Sequence, residues 1–196
     1  MIGMENQLFQ NKYRIKSTRL KHWDYSSSGA YYVTICTQGR KYFFGKIING
    51  KMMLSKIGEI VEYEWKQTCE MRENVELDEY VIMPDHMHGI LIICNSHRRD
   101  VARRRDVARR RDVARNVSTT GNIMSRISPK SNSLSVIIRS FKSAVSNWCH
   151  KNNFNYFQWQ SRFHEHIIRD EIELNQKRNY IINNPLKWEL NKKTLC

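Results

Sequence analysis

The chain has 196 residues, 40% of them hydrophobic, and carries 33 Lys and Arg against 19 Asp and Glu, a formal net charge of +14. That length supports one core, or one core with an insert, and the charge points to a polyanionic partner, most simply nucleic acid, with a basic surface kept for solubility as the other reading. No run approaches the ~18 apolar residues of a membrane span, the polar start MIGMENQLFQNKYRIK lacks an apolar signal core, and five scattered cysteines without a C-x-x-C fit a reduced, cytoplasmic and nucleoid-associated protein rather than a disulfide framework or zinc knuckle.

Residues 1–29 form a basic arm in which Arg14, Lys16, Arg19 and Lys21 can grip the phosphates of a DNA hairpin; a solvated tail is the competing reading. Residues 30–38, AYYVTICTQ, are β-branched and aromatic and predict a strand. Asn49-Gly50 between the apolar runs of YFFGKIINGKMMLS predicts a hairpin. Ile57, Ile60, Val61, Trp65 and Thr68 recur at helical spacing, and ELDEYVIMP and HMHGILIIC read as two further strands split by Pro84-Asp85.

From Arg99 to Asn116 the chain repeats RDVARR-RDVARR-RDVARN. Six residues advance a helix by about 600°, so successive Val-Ala pairs spread around the axis and make no apolar stripe. We expect residues 96–132 to be an inserted, mostly disordered linker, continued by SPKSNS. Between Arg98 and Arg115 nine Arg and three Asp give +6, which leaves +8 of the +14 on the rest of the chain. The body is therefore basic without the repeat, which reads either as a nonspecific phosphate-binding arm or as a tolerated duplication.

Past the linker, Ile137, Phe141, Ala144, Val145 and Trp148 share one helical stripe. Arg139 and Lys142 sit off that stripe and, with Lys177 and Arg178 further on, are candidate DNA contacts. FQWQSRFHEHIIRD reads as a strand region. EIELNQKRNYIINN reads as a last helix, opened by Asp170 and Glu173 in capping-box spacing and ended before Pro185. Without hairpin and linker the order is β-α-β-β-α-β plus a C-terminal helix. This predicts an α+β, ferredoxin-like (RRM-like) antiparallel sheet with helices on one face and the other face free for a ligand. Residues 30–95 and 133–196 then form a single domain.

His86 and His88 lie two apart on a strand and point to the same side, where two imidazoles can share a divalent ion; a structural histidine pair is the alternative. On the last helix Tyr180 and Asn184 are four residues apart, one turn on one face, and Gln176 continues that line. An amphipathic core tyrosine and a helix-end asparagine are the bland reading of that pair. His164 and His166 form a second H-x-H, compatible with a four-histidine zinc site or with ordinary strand histidines. Tyr156, Trp148 and Trp159 can stack on unpaired bases or pack in the core.

MPDHMHG resembles the HUH motif (His, bulky hydrophobic, His) of single-tyrosine transposases, with Met87 as the hydrophobic residue. DYSSSGAYYVTICTQGRKYFFG, WQSRFHEHIIRDE and RNYIINNPLKW are similar to the matching blocks of the REP-associated, IS200-like group, in the same order and over most of the chain outside the linker. The resemblance implies a ferredoxin-like domain that cleaves single-stranded DNA at hairpin-associated sites. It implies Mg²⁺ or Mn²⁺ held by His86, His88 and Asn184, and Tyr180 as the nucleophile of a 5′-phosphotyrosine bond. Members commonly have Asn where Asp85 stands, and often Gln where Asn184 stands. The partners implied are single-stranded or hairpin DNA, with the protein a monomer or homodimer. The histidines are expected at a solvent-accessible site. The rival function is a noncatalytic nucleic-acid-binding module on the same fold, which would show solvent-facing aromatics on the central strands.

Overall fold

A computed structural model describes residues 20, 23–94, 130 and 132–193. Arg14, Lys16, Arg19 and Lys21 of the basic arm, and almost all of the 96–132 insert, lie outside them. The elements are β1 (Gly29–Cys36), β2 (Gly45–Ile48), β3 (Lys51–Leu54), α1 (Lys56–Glu70), β4 (Val75–Ile82), β5 (His86–Ile93), α2 (Leu134–Lys151), β6 (His164–Ile168) and α3 (Glu171–Lys193). The main sheet runs β4-β5-β1-β6, antiparallel throughout, which is the ferredoxin-like strand order; β2 and β3 form a separate two-stranded sheet.

Period-two alternation sorts the strand side chains. Tyr31, Val33 and Ile35 of β1 and Met87, Leu91 and Ile93 of β5 face α1 and α2 and are fully buried or nearly so. The helices answer with Trp65 from α1 and Phe141 from α2, whose rings meet edge to face at 5.3 Å. Ser55 caps α1: its hydroxyl accepts from the Gly58 amide at 3.1 Å and donates to the Phe43 carbonyl at 2.6 Å. In the β2–β3 turn Asn49 and Gly50 have φ of 52° and 70°, the paired left-handed geometry that the Asn-Gly dipeptide predicts.

The opposite sheet face departs from expectation. It is not free, because α3 lies across it. Tyr32, Ile90, Ile168 and Ile181 form a second, smaller core there. Ile181 is 1% exposed, and burial of such a side chain contributes about 2 kcal/mol to holding the helix down. Arg178 adds a polar tie, donating through Nε and Nη2 to both carboxylate oxygens of Asp78 on β4.

The predicted stop before Pro185 is also corrected: α3 runs through the proline to Lys193. A proline inside a helix removes one hydrogen bond and crowds the preceding turn, at a cost of about 3 kcal/mol. Contacts beyond it outweigh that local cost. Trp188 packs edge-on against Tyr42 at 6.1 Å, and the Glu189 carboxylate accepts the Gly50 amide of the hairpin. The start of α3 follows the sequence more closely. The Asp170 carboxylate accepts the Glu173 amide at 2.7 Å, while Glu173 accepts the Arg169 amide at 3.0 Å, one residue before the reciprocal partner of a capping box. The strand region before α3 contracts to β6; ahead of it, Trp159 makes a single bridge to Thr37. Among the described residues no helix is long and apolar enough to cross a membrane.

Gly89 lies beneath Trp65, where a Cβ would come within 2.6 Å of the indole. Gly89→Ala should therefore lower stability by about 1–3 kcal/mol, by overpacking a central strand. A urea titration followed by tryptophan fluorescence measures this, and an unchanged midpoint would contradict the packing described.

Candidate active site

The site is built where the register of β1 on β5 places Cys36 opposite His86 and Thr34 opposite His88. The two histidines point to the α3 face, as their spacing predicts, and their Nε2 atoms are 3.0 Å apart. They are not solvent-accessible as expected: each is 5% exposed, because α3 covers them.

Both Nδ1 atoms are held. The Asp85 carboxylate, itself buried, takes the Nδ1 proton of His86 at 2.5 Å. His88 Nδ1 lies 2.7 Å from the Tyr32 hydroxyl and 2.9 Å from the Thr34 hydroxyl. A carboxylate only accepts, so His86 donates from Nδ1 to Asp85. His88 shares its Nδ1 with the Tyr32 and Thr34 hydroxyls and its Nε2 with His86.

Asp85 is set from behind. Arg40 Nε reaches its second oxygen at 2.9 Å, and Arg40 Nη1 donates to the Cys36 thiol at 2.9 Å. Gly39 and Arg40 both have positive φ, 62° and 56°, which bends the chain after β1 back upon itself. The Asp85 carbonyl accepts from both the amide and the hydroxyl of Thr37. Asp85 therefore has a cationic partner that sequence spacing did not reveal.

α3 supplies the rest. The Tyr180 ring meets His88 edge-on at 5.3 Å and Tyr32 at 6.3 Å, and two turns later the Trp188 ring lies 5.7 Å from His86. Asn184 is midway between them on the same helix face, and it is 7% exposed. Its amide is thus held on the sheet side of α3, between the two residues that touch the two histidines. Tyr180 remains 42% exposed, open to a ligand from solvent.

The arrangement fits a divalent ion. Two nitrogens at right angles around an ion, each about 2.1 Å from it, stand roughly 3.0 Å apart, as the two Nε2 atoms do. Among the described residues no group of three or more His, Cys, Asp or Glu is placed to hold a metal. His164 stands in the same cross-strand row as Thr34 and His88, and its charge is felt at His88. His166 Nε2 pairs with the Glu173 carboxylate instead.

The other candidates divide. Lys177 lies with its ammonium 5.0 Å over the Tyr32 ring, at the site. Arg178 is committed to Asp78 and to Glu171 and Asn175 of its own helix. Arg139 and Lys142 lie on the opposite side of the sheet, where Lys142 donates to the Gln160 and Arg162 carbonyls. Trp159 packs among Phe44, Phe141 and Phe157, Trp148 stacks on Phe154, and Tyr156 is 61% exposed. Tyr32, Thr34, Arg40 and Trp188 were not singled out from the sequence. Tyr32 and Thr34 were legible in principle, since strand alternation puts them on the face opposite Tyr31 and Val33.

No protein-family model matches the chain. An uncharacterized protein of Haemophilus influenzae (strain ATCC 51907 / DSM 11121 / KW20 / Rd) is 36% identical over 174 residues, spanning 89% of either chain. This chain belongs to the same family. A solved structure of a REP-associated tyrosine transposase bound to a REP hairpin superimposes with a TM-score of 0.53 and 18% identity, covering 88% of this chain and 74% of that one. The family member therefore has the fold of that transposase.

Burial first, then the charges of His86, Arg40, His164 and Lys177, pushes His88 down from its ordinary 6.5 to about 3. Between those values the unfolded chain binds a proton that the folded chain refuses. Stability from this source is complete above about pH 6.5 and is lost as pH falls towards 3. The metal-free protein should lose stability across that window, and His88→Gln should flatten the slope by about one proton. Urea unfolding at a series of pH values measures it; equal slopes in the two proteins would show that His88 is not held neutral.

Proposed function

We propose that this protein is a metal-dependent, single-stranded DNA endonuclease and strand transferase of the transposase kind, acting at hairpin-associated sites through a 5′-phosphotyrosine intermediate. The observation that carries the reading is the contact of Tyr180, half-open to solvent, with a buried histidine pair whose Nε2 atoms are spaced for one cation. The transposase fold, whose solved example holds a REP hairpin, and the charge of +14 support DNA as the substrate. His86, His88 and Asn184 would hold Mg²⁺ or Mn²⁺, which supplies charge neutralisation of the scissile phosphate when bound.

The chain's own groups do the remainder. The Tyr180 oxygen attacks phosphorus and loses its proton; the P–O3′ bond breaks, and the departing oxygen gains a proton to become a free 3′-OH. The phosphoester energy is kept in the tyrosine link, so a second 3′-OH can reverse the step and join strands. Asp85, braced by Arg40, keeps the His86 ring in the orientation that leaves Nε2 bare. Lys177 and Lys187, whose ammonium groups lie over the Tyr32 and Tyr180 rings, bring positive charge to the phenol and to the incoming phosphate. The noncatalytic alternative is less well supported. The central strands turn buried histidines and Tyr32, at 6% exposure, towards a helix, and offer no open aromatic platform there.

A labelled hairpin oligonucleotide incubated with Mn²⁺ tests the reading. Wild type should give a detergent-resistant covalent adduct and Tyr180→Phe none, with hairpin affinity retained. A salt-labile complex without adduct would instead identify a binding module. His86→Ala should lose cleavage. Asp85→Asn should keep it but need about 10–100-fold more Mn²⁺ for half-maximal rate, the usual cost of losing a group that orients a metal ligand. Normal cutting by His86→Ala at limiting Mn²⁺ would refute the metal site.

A further inference from the structure

One stretch of this basic chain has the opposite charge. Glu59 to Glu79 holds eight acidic residues against Lys66 and Arg72, a net of −6 in a molecule of +14. The fold gathers much of that charge on one outer surface. Ile57, Val61, Trp65 and Thr68 form the buried side of α1, so Glu59, Tyr63, Lys66 and Glu70, spaced four, three and four residues apart, share its exposed side. Lys66 is paired with Glu62, and Arg72 is half-buried with its Nη1 enclosed. Exposed Glu73 and Glu76 continue the surface through the turn into β4, an edge strand. Tyr63 and Met71 stand more than half exposed among these carboxylates. The end of α1 also breaks a local rule. Its last turn carries Glu70 and no basic residue, although the partial charge at a helix C-terminus is negative and favours a cation. Breaches of this kind mark places where something else supplies the missing group.

We propose that this face of α1, with the turn after it, is the docking surface for the chain's own arginine-rich insert, Arg98–Arg115. Charge complementarity is the first argument: the insert carries +6. Its RDVARR units bring guanidinium groups for the carboxylates and the Tyr63 ring, and Val-Ala pairs for Met71. Chain continuity is the second. The insert leaves the sheet at this spot, where Val75 pairs with Ile93 and the Cys94 amide donates to the Asn74 carbonyl at 2.8 Å. Arg98 follows four residues later, a reach of at most about 14 Å. α1 is about 22 Å long, and the repeat can span up to about 60 Å, so its arginines can meet Glu76, Glu73 and the stripe as far as Glu59. The missing apolar stripe in the repeat is no obstacle, because pairing with a row of carboxylates needs no single helical face. Each exposed ion pair is weak, but the tether keeps the insert at an effective concentration in the millimolar range. The insert's charge is then spent on the side of the sheet away from the histidine pair, and its arginines meet DNA phosphates only when salt or a polyanion displaces them.

The test uses the full-length protein and limited trypsin digestion, with cuts at Arg98–Arg115 identified by mass spectrometry, at about 0.02 M and about 0.5 M NaCl. Glu73→Lys/Glu76→Lys changes two exposed side chains, so the fold should survive, which circular dichroism verifies. At low salt the insert of this variant should be cut about three- to ten-fold faster than in wild type, the effect of losing two exposed ion pairs. Glu73→Gln/Glu76→Gln should fall between the two, and at high salt all three should be cut alike. Glu171→Lys, an exposed reversal on the far side of the sheet, should match wild type at both salts. Equal rates for wild type and the double variants at low salt would overturn the proposal. So would an equal acceleration by Glu171→Lys, which would leave net charge as the cause, or protection that grows with protein concentration, which would place the insert on a second copy. An insert protected only when DNA is added would make it a phosphate-binding arm and likewise overturn docking on α1.

Discussion

Everything at the site depends on a single register, that of β1 against β5. It pairs Cys36 with His86 and Thr34 with His88, and so puts Tyr32, Thr34 and the histidines on one face and Tyr31, Val33 and Met87 on the other. A slip of one residue would turn the histidines into the helix-side core and Met87 towards α3. Apolar burial enforces the register. Tyr31, Val33, Ile35, Met87 and Leu91 are all fully buried against α1 and α2, and a slip would exchange them for hydroxyls and imidazoles. The larger core thus fixes the chemistry of the smaller face.

That smaller face resolves a conflict between burial and reactivity. Buried imidazoles need partners for every ring nitrogen, and here Asp85, Tyr32, Thr34 and the histidines themselves supply them. The same network holds both rings in place. Arg40 keeps Asp85 from being an uncompensated buried charge. The tyrosine stays at the rim of the site, 42% exposed.

α3 illustrates why the local rules failed at Pro185. Read alone, the proline ends the helix, since it removes a donor and disfavours helix in the residue before it. The continuation exists because Trp188 and Glu189 find partners in Tyr42, His86 and Gly50, residues about 100 or more positions away in the chain. By holding Trp188 against His86, that continuation fixes the turn on which Asn184 sits.

The sequence by itself determined the layout: two periodicities mark the strands and helices, Asn49-Gly50 the hairpin, and their order the ferredoxin-like sheet. It also determined that His86 and His88 share a face and that Tyr180 and Asn184 share a turn, because strand and helix periods are local properties of the chain. Only the tertiary structure decided that these two pairs meet, that α3 closes over the second sheet face, that Arg40 answers Asp85 and Arg178 answers Asp78. Those are contacts between distant segments, chosen by which faces must be buried and which charges must be paired. No spacing within one element encodes them.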